Sequence, residues 1–154
     1  MAAYFLDSSA VAKRHLNETG SAWVLSITSP TARNRIHLAG ITPVEVVSAV
    51  ARRQRSGSIA LTDAAVMLAS FRADLAKQYR VVDVTRVVIL RVMLLAETYA
   101  LRGYDAVQLA AALEANDRRT ARKAPLLTLV SADGELNAAA QAEGLAVEDP
   151  NAHP

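Results

Sequence analysis

The chain has no cysteine. That one absence excludes a disulfide framework, a zinc–thiolate site and a thiol nucleophile. Aromatic residues are only 5% of the 154, so the core has to be built from Leu, Val, Ile and Ala. No apolar run spans a bilayer: the best, residues 87–101, carries Arg91 and Glu97 where about 20 clean residues are needed. The opening Met1-Ala2-Ala3-Tyr4-Phe5-Leu6-Asp7 lacks a positive leader and puts an acid where a secretory signal is apolar. The expectation is a soluble, cytoplasmic protein without a membrane partner. Internal repeats and low-complexity segments are missing too. So are basic residues near the end of the chain. All 17 Lys and Arg lie at or before Lys123, where ten acids face them, leaving +7; residues 124–154 hold five acids and no base, leaving −5. Such asymmetry either marks a basic face for an anionic partner or is a lopsided solvated surface.

The composition that remains, 52% hydrophobic and 21% charged, is that of a globular domain, and the length is right for one. A single domain over residues 1–150 is expected, with a short tail at 151–154. Residues 3–6 are an apolar run ending at Asp7 and read as a buried strand. Helices are expected over 8–16 and 21–29, and a strand over 36–41. A helix opens at Thr42-Pro43 and stops at Ser56-Gly57-Ser58. In the next helix Ala64, Met67, Leu68, Phe71 and Leu75 recur at helical spacing. Residues 79–84 read as a third strand. Residues 86–101 are apolar nearly all round, which marks a central helix or one used at a subunit interface. A helix over 105–115 precedes a basic loop, Arg118 to Lys123. Residues 126–130 form a fourth strand, 136–142 a short helix and 146–148 a last strand. Alternating strands and helices indicate an α/β sandwich around a mainly parallel sheet.

Four acids stand where such a sheet binds ligands. Asp7, Glu45 and Asp133 each lie just past a strand, and Asp105 opens a helix after Gly103-Tyr104. The carboxyl ends of parallel strands share one edge, so these acids should meet there. Each also has a plain structural use. Asp7 can cap the following helix, Thr42-Pro43-Val44-Glu45 has capping-box spacing, and Asp105 and Asp133 suit helix starts. Taken together, acids on one rim repel unless a cation sits between them, and a hard divalent ion such as Mg2+ or Mn2+ is the natural relief.

The segments Phe5-Leu6-Asp7-Ser8-Ser9-Ala10, Thr42-Pro43-Val44-Glu45, Leu101-Arg102-Gly103-Tyr104-Asp105-Ala106-Val107-Gln108-Leu109-Ala110 and Val130-Ser131-Ala132-Asp133 resemble, in order and spacing, those of PIN-domain nucleases, specifically toxins of the VapC type. The resemblance runs from about Tyr4 to Glu148. It implies a PIN-like three-layer α/β sandwich and a metal-dependent ribonuclease that is the toxin of a toxin–antitoxin pair. It also implies that Asp7, Glu45, Asp105 and Asp133 surround the metal, with Ser9 and Ser131 supporting them. Asp7 and Asp105 would be the principal ligands of Mg2+, with Mn2+ as an alternative. A cognate antitoxin protein and a homodimer follow from the same resemblance, the helices at 62–79 and 86–101 offering the seam. Metal-assisted phosphodiester hydrolysis suits these residue types, because a bound divalent ion lowers the pKa of its water and relieves charge on the leaving oxygen.

For RNA phosphates the candidates are Arg52, Arg102, Arg118, Arg119, Arg122 and Lys123. Tyr104 and Trp23 are the aromatics available to stack a base, Trp23 being the better core residue. His15, His37 and His153 stand alone and are given no catalytic role. A phosphotransferase of the haloacid-dehalogenase type is excluded because Ser9 stands where its second acid belongs. A receiver domain is excluded because its ordered acids and late lysine are missing. The competing expectation is a catalytically silent PIN-like module that binds RNA or protein.

Overall fold

A computed structural model describes all 154 residues. In chain order the elements are β1 (Ala3–Leu6), α1 (Ser8–His15), α2 (Ser21–Thr28), β2 (Arg35–Ala39), α3 (Thr42–Arg55), α4 (Leu61–Lys77), β3 (Tyr79–Val82), α5 (Arg86–Tyr99), α6 (Gly103–Ala121), β4 (Thr128–Val130), α7 (Gly134–Ala142) and β5 (Ala146–Glu148), with 3-10 turns at Pro30–Ala32 and Pro150–Ala152. The five strands form one sheet in the order β3-β2-β1-β4-β5, and every neighbouring pair is parallel.

Side chains alternate across a strand, so one sheet feeds two cores. Phe5, Ala39, Val82 and Leu129 face a core shared with α5, α6 and α7. Leu6, Ile36, Leu38 and Val130 face the other, closed by α1, α2, α3 and α4 through residues such as Val24, Val46 and Phe71. The result is the expected three-layer α/β sandwich. No helix is long and apolar enough to cross a membrane.

The central helix is α6, not the stretch at 86–101. Every residue from Ala106 to Leu113 is buried, and half of them are Ala, whose small side chain lets the helix lie close against the sheet. In α5 only Val88, Val92 and Leu95 are buried, while Val87, Leu90, Met93 and Leu94 are more than half exposed. α6 also runs further than its spacing indicated. Arg118 and Arg119 belong to its last turn, and only Arg122 and Lys123 follow it, so the expected basic loop is mostly helix. At about 1.5 Å per residue, α6 is about 28 Å long and runs from one edge of the sheet to the other.

The chain end is docked on α2. Gly20 caps that helix at φ +83°, and a Cβ there would sit 2.2 Å from the Pro150 carbonyl oxygen. The conformation and the close approach both require glycine. His153 stacks on Trp23 at 4.2 Å, which in turn meets Tyr4 edge-on at 6.5 Å. Trp23 is thereby held in a packing cluster.

Candidate active site

β1 lies in the middle of the sheet, with β2 on one side and β4 on the other. The chain leaves β1 for β2 and returns later to β4, so the crevice between β1 and β4 is the switch point at which open α/β sheets bind ligands. Asp7 and Ser131 follow these two strands and stand side by side, and the Asp7 N–H extends the pairing by donating to the Val130 carbonyl at 3.2 Å.

Asp7 is 5% exposed. Its Oδ2 accepts from Ser131 Oγ at 2.5 Å, and its Oδ1 accepts from Ser9 Oγ at 2.6 Å and from the Ala10 N–H at 2.9 Å. The last bond is the cap of α1, so the structural use of Asp7 is real and coexists with the others. Burial nevertheless pushes the Asp7 carboxyl up to about 6; the two serines and Ala10 oppose that rise, and the charge of Asp105 adds to it. The serines do more than hold Asp7. Ser9 Oγ accepts from the Ala132 N–H at 3.1 Å, and Ser131 Oγ from the Asp133 N–H at 3.0 Å. Together they stitch the start of α1 to the loop before α7.

Glu45 sits in the first turn of α3, but the capping box is not formed. The helix begins one residue earlier than that motif requires: Ile41 is the cap residue and Thr42 already lies inside. The buried Thr42 hydroxyl turns to Gln108 instead, whose Nε2 stands 3.0 Å from it, 2.8 Å from Glu45 Oε1 and 3.2 Å from Ser8 Oγ. Gln108 is 2% exposed and ties the first turn of α3, at Thr42 and Glu45, to Ser8 at the start of α1. Sequence reasoning assigned it no role. The signal was its place three residues after Asp105, one turn along the same helical face.

Asp105 lies in the first turn of α6, and its carboxylate accepts no hydrogen bond from the protein. Burial raises its pKa; the charge of Asp133 adds to this, Arg102 opposes it, and Glu45 and Glu135 add smaller increments. Asp7, Glu45 and Asp133 thus each exchange electrostatic influence with Asp105. Asp133 is also a cap, accepting from the Leu136 N–H at 2.8 Å. No three acids or histidines come together as a metal-holding group in this structure. Glu45 is drawn to Gln108, Asp133 to its helix, and like charges keep apart. The donor set itself, carboxylates and hydroxyls around a buried charge, is of the kind that hard oxygen-seeking cations use.

Beside the acids opens a cavity of about 480 Å³, whose lining includes Ser8, Ser9, Glu45, Ser48, Arg52 and Tyr104. Tyr104 is 63% exposed at its mouth. The predicted basic residues divide. Arg52 lines this cavity, and Arg102 is next to the acids. Arg118, Arg119 and Arg122 line a different cavity beyond the far end of α6, with Lys123 following them in the chain. They do not join the acid rim. His153 bonds Glu148 at 3.0 Å, while His15 and His37 each leave Nε2 buried and without a partner.

The sequence matches no family model, and no curated protein is a significant match. Solved structures do match. PAE2754 from Pyrobaculum aerophilum has a TM-score of 0.68 at 20% identity, covering 98% of this chain and 91% of its own. A toxin–antitoxin complex from Klebsiella pneumoniae gives 0.59 at 16% identity, over 96% of this chain and 97% of the other. VapC20 from Mycobacterium tuberculosis, a Sarcin-Ricin loop cleaving toxin, gives 0.57 at 17% identity, over 98% and 99%. At these identities the likeness speaks to architecture: the chain folds as a PIN-like α/β sandwich.

Proposed function

We propose that this protein is a Mg2+- or Mn2+-dependent endoribonuclease and the toxin of a toxin–antitoxin pair. The observation that carries the proposal is Asp7: a carboxylate buried at the switch point, held by two hydroxyls and subject to the charge of Asp105, which in turn feels Asp133 and Glu45. Asp7 and Asp105 would hold the ion, and Glu45 and Asp133 would complete its shell directly or through water. When bound, the ion supplies a water of lowered pKa and charge relief on the leaving oxygen. The chain's own groups do the positioning. Ser9 and Ser131 fix the two oxygens of Asp7, and Gln108 fixes Glu45. Asp105, free of protein donors, turns toward whatever cation the others hold. Arg52 and Arg102 hold phosphates of the RNA at the rim, and the exposed ring of Tyr104 stacks a base.

The fold shared with a toxin–antitoxin complex and with a Sarcin-Ricin loop cleaving toxin supports this assignment. An antitoxin would then restrain the enzyme in the cytoplasm. The exposed apolar face of α5, with Val87, Leu90, Met93 and Leu94, would form the seam of a homodimer. A 16 kDa particle by light scattering over a wide concentration range defeats the dimer.

A second reading, a silent PIN-like binding module, is favoured by one observation: no three acids gather as the side chains stand. Incubating pure protein with cellular RNA in Mg2+, Mn2+ or EDTA, with Asp105→Asn alongside, decides between them. Discrete cuts that need metal and vanish in the variant are expected. RNA binding without cleavage in any metal establishes the silent module.

A further inference from the structure

At the opposite edge of the sheet from the acids lies a second cavity, of about 260 Å³. Five arginines and a histidine converge on it from two layers of the fold. Arg35 and His37 come from the start of β2, two residues apart and so on one face. Arg80 sits beside His37 in the parallel register of β2 and β3. Arg118, Arg119 and Arg122 close it from the end of α6. No acid lines the cavity.

A helix C-terminus favours basic residues, which accounts for Arg118 and Arg119 taken by themselves. It does not account for Arg35 and Arg80, which are delivered by the sheet to the same place. Only Arg118 is paired, with Glu114 at 3.0 Å one turn back on its own helix. Arg119 is 7% exposed and spends its Nε on the Pro125 carbonyl at 2.7 Å, leaving its remaining N–H groups. The crowding bears on the titration of two groups. Burial, then the charges of Arg35 and Arg80, lowers the Arg119 pKa. Burial, then Arg119, Arg80 and Arg35, pushes His37 down to about 4. The Nε2 of His37 is buried without a partner. Uncompensated positive charge gathered in a concave site works against the fold unless something neutralises it.

We propose that this cavity is a binding site for a phosphoryl oxyanion, supplied either by a free polyphosphate or by the backbone of a nucleic acid. Planar guanidinium forks match phosphate oxygens two by two, and several forks converging from different directions suit a group with three or four acceptor oxygens better than a lone carboxylate. The site is separate from the acid rim. Asp105 and Arg122 stand at opposite ends of α6, about 25 Å apart along its axis. Anion binding there does not depend on whether the acids cut RNA.

The test is calorimetry in EDTA with two probes: inorganic pyrophosphate, and a short single-stranded oligoribonucleotide without terminal phosphates. Arg80 and Arg122 are exposed, so an Arg80→Ala/Arg122→Ala variant keeps the fold. Wild type and Asp105→Asn are expected to bind pyrophosphate equally, and the double variant at least tenfold more weakly. If the natural source is a free polyphosphate, oligonucleotide affinity stays the same in the double variant. If it is a nucleic-acid backbone, that affinity falls by a similar factor and pyrophosphate competes. Proton NMR gives an independent readout: a bound anion offsets the arginines, so the His37 ring titrates at higher pH with pyrophosphate present. The proposal is overturned if both probes bind the double variant as tightly as wild type, or if the His37 titration does not move.

Discussion

Replacing Asp7 with Asn should make the metal-free protein more stable at pH 8. A carboxyl moved from 3.8 to about 6 by the fold costs the native state about 3 kcal/mol when fully charged, as an upper figure. The folded state holds this proton more tightly than the unfolded one. The penalty is therefore absent below pH 4, grows between pH 4 and 6, and is complete above that, so wild-type stability declines through that window as the pH rises. Asn carries no such penalty. Its Oδ1 still accepts from Ala10 and Ser9, its Nδ2 meets the Ser131 hydroxyl, and Asn caps a helix about as well as Asp. Allowing for weaker neutral bonds, the net gain is about 1–3 kcal/mol, or about 2–4 °C in Tm for each kcal/mol. Urea and thermal unfolding in EDTA at pH 4 and pH 8 measure it. Mg2+ should then stabilise wild type and leave the variant unmoved. An equal loss of stability at both pH values would refute the reasoning and leave Asp7 a simple helix cap.

Gln108→Ala should weaken divalent-ion binding about 10–100-fold through loss of the Glu45 contact, read by calorimetry on protein whose circular dichroism is unchanged; unaltered affinity removes Gln108 from the site. Asp74→Ala should cost about 3–5 kcal/mol in urea unfolding, because it strands Arg14, whose Nε stands 2.7 Å from Asp74 in a largely buried pair. A cost below about 1 kcal/mol would mean that water reaches Arg14 in the variant. Gly20→Ala should destabilise by more than about 1 kcal/mol, from positive φ and from the Pro150 carbonyl, and should free the chain end to limited proteolysis.

Most strands and helices were legible in the sequence because each buries one face, and period-two or period-3.6 patterning records that. Asp7 was legible for the same reason, since an acid that ends a short apolar run marks where a central strand leaves the sheet. The stretch at 86–101 read as central, or as part of a subunit interface, because hydropathy weighs side chains without seeing where they point. Leu90 and Met93 look interior and face outward, while the alanines of α6 look neutral and fill the centre, where only small residues fit. Thr42 and Glu45 had the right spacing for a cap, yet a buried amide 66 residues from Thr42 competes for its hydroxyl, and no local pattern encodes that. Arg118 to Lys123 read as a loop because the helix was ended at 115 instead of 121. Four more residues of helix would have carried Arg119 away from Arg102 and toward Arg35 and Arg80.

The position of β1 has a consequence for how the protein is made. The central strand is synthesised well before its neighbour β4, and the Asp7–Ser131 contact joins residues 124 apart. Long-range parallel pairing is slow and costly in loop entropy. Asp7, Glu45 and Asp105 are therefore all in the nascent chain well before the crevice that would unite them can close. A growing or truncated chain that stops between residues 105 and 131 carries three of the four acids and no assembled site, which delays assembly of the crevice until β4 and Ser131 have been made.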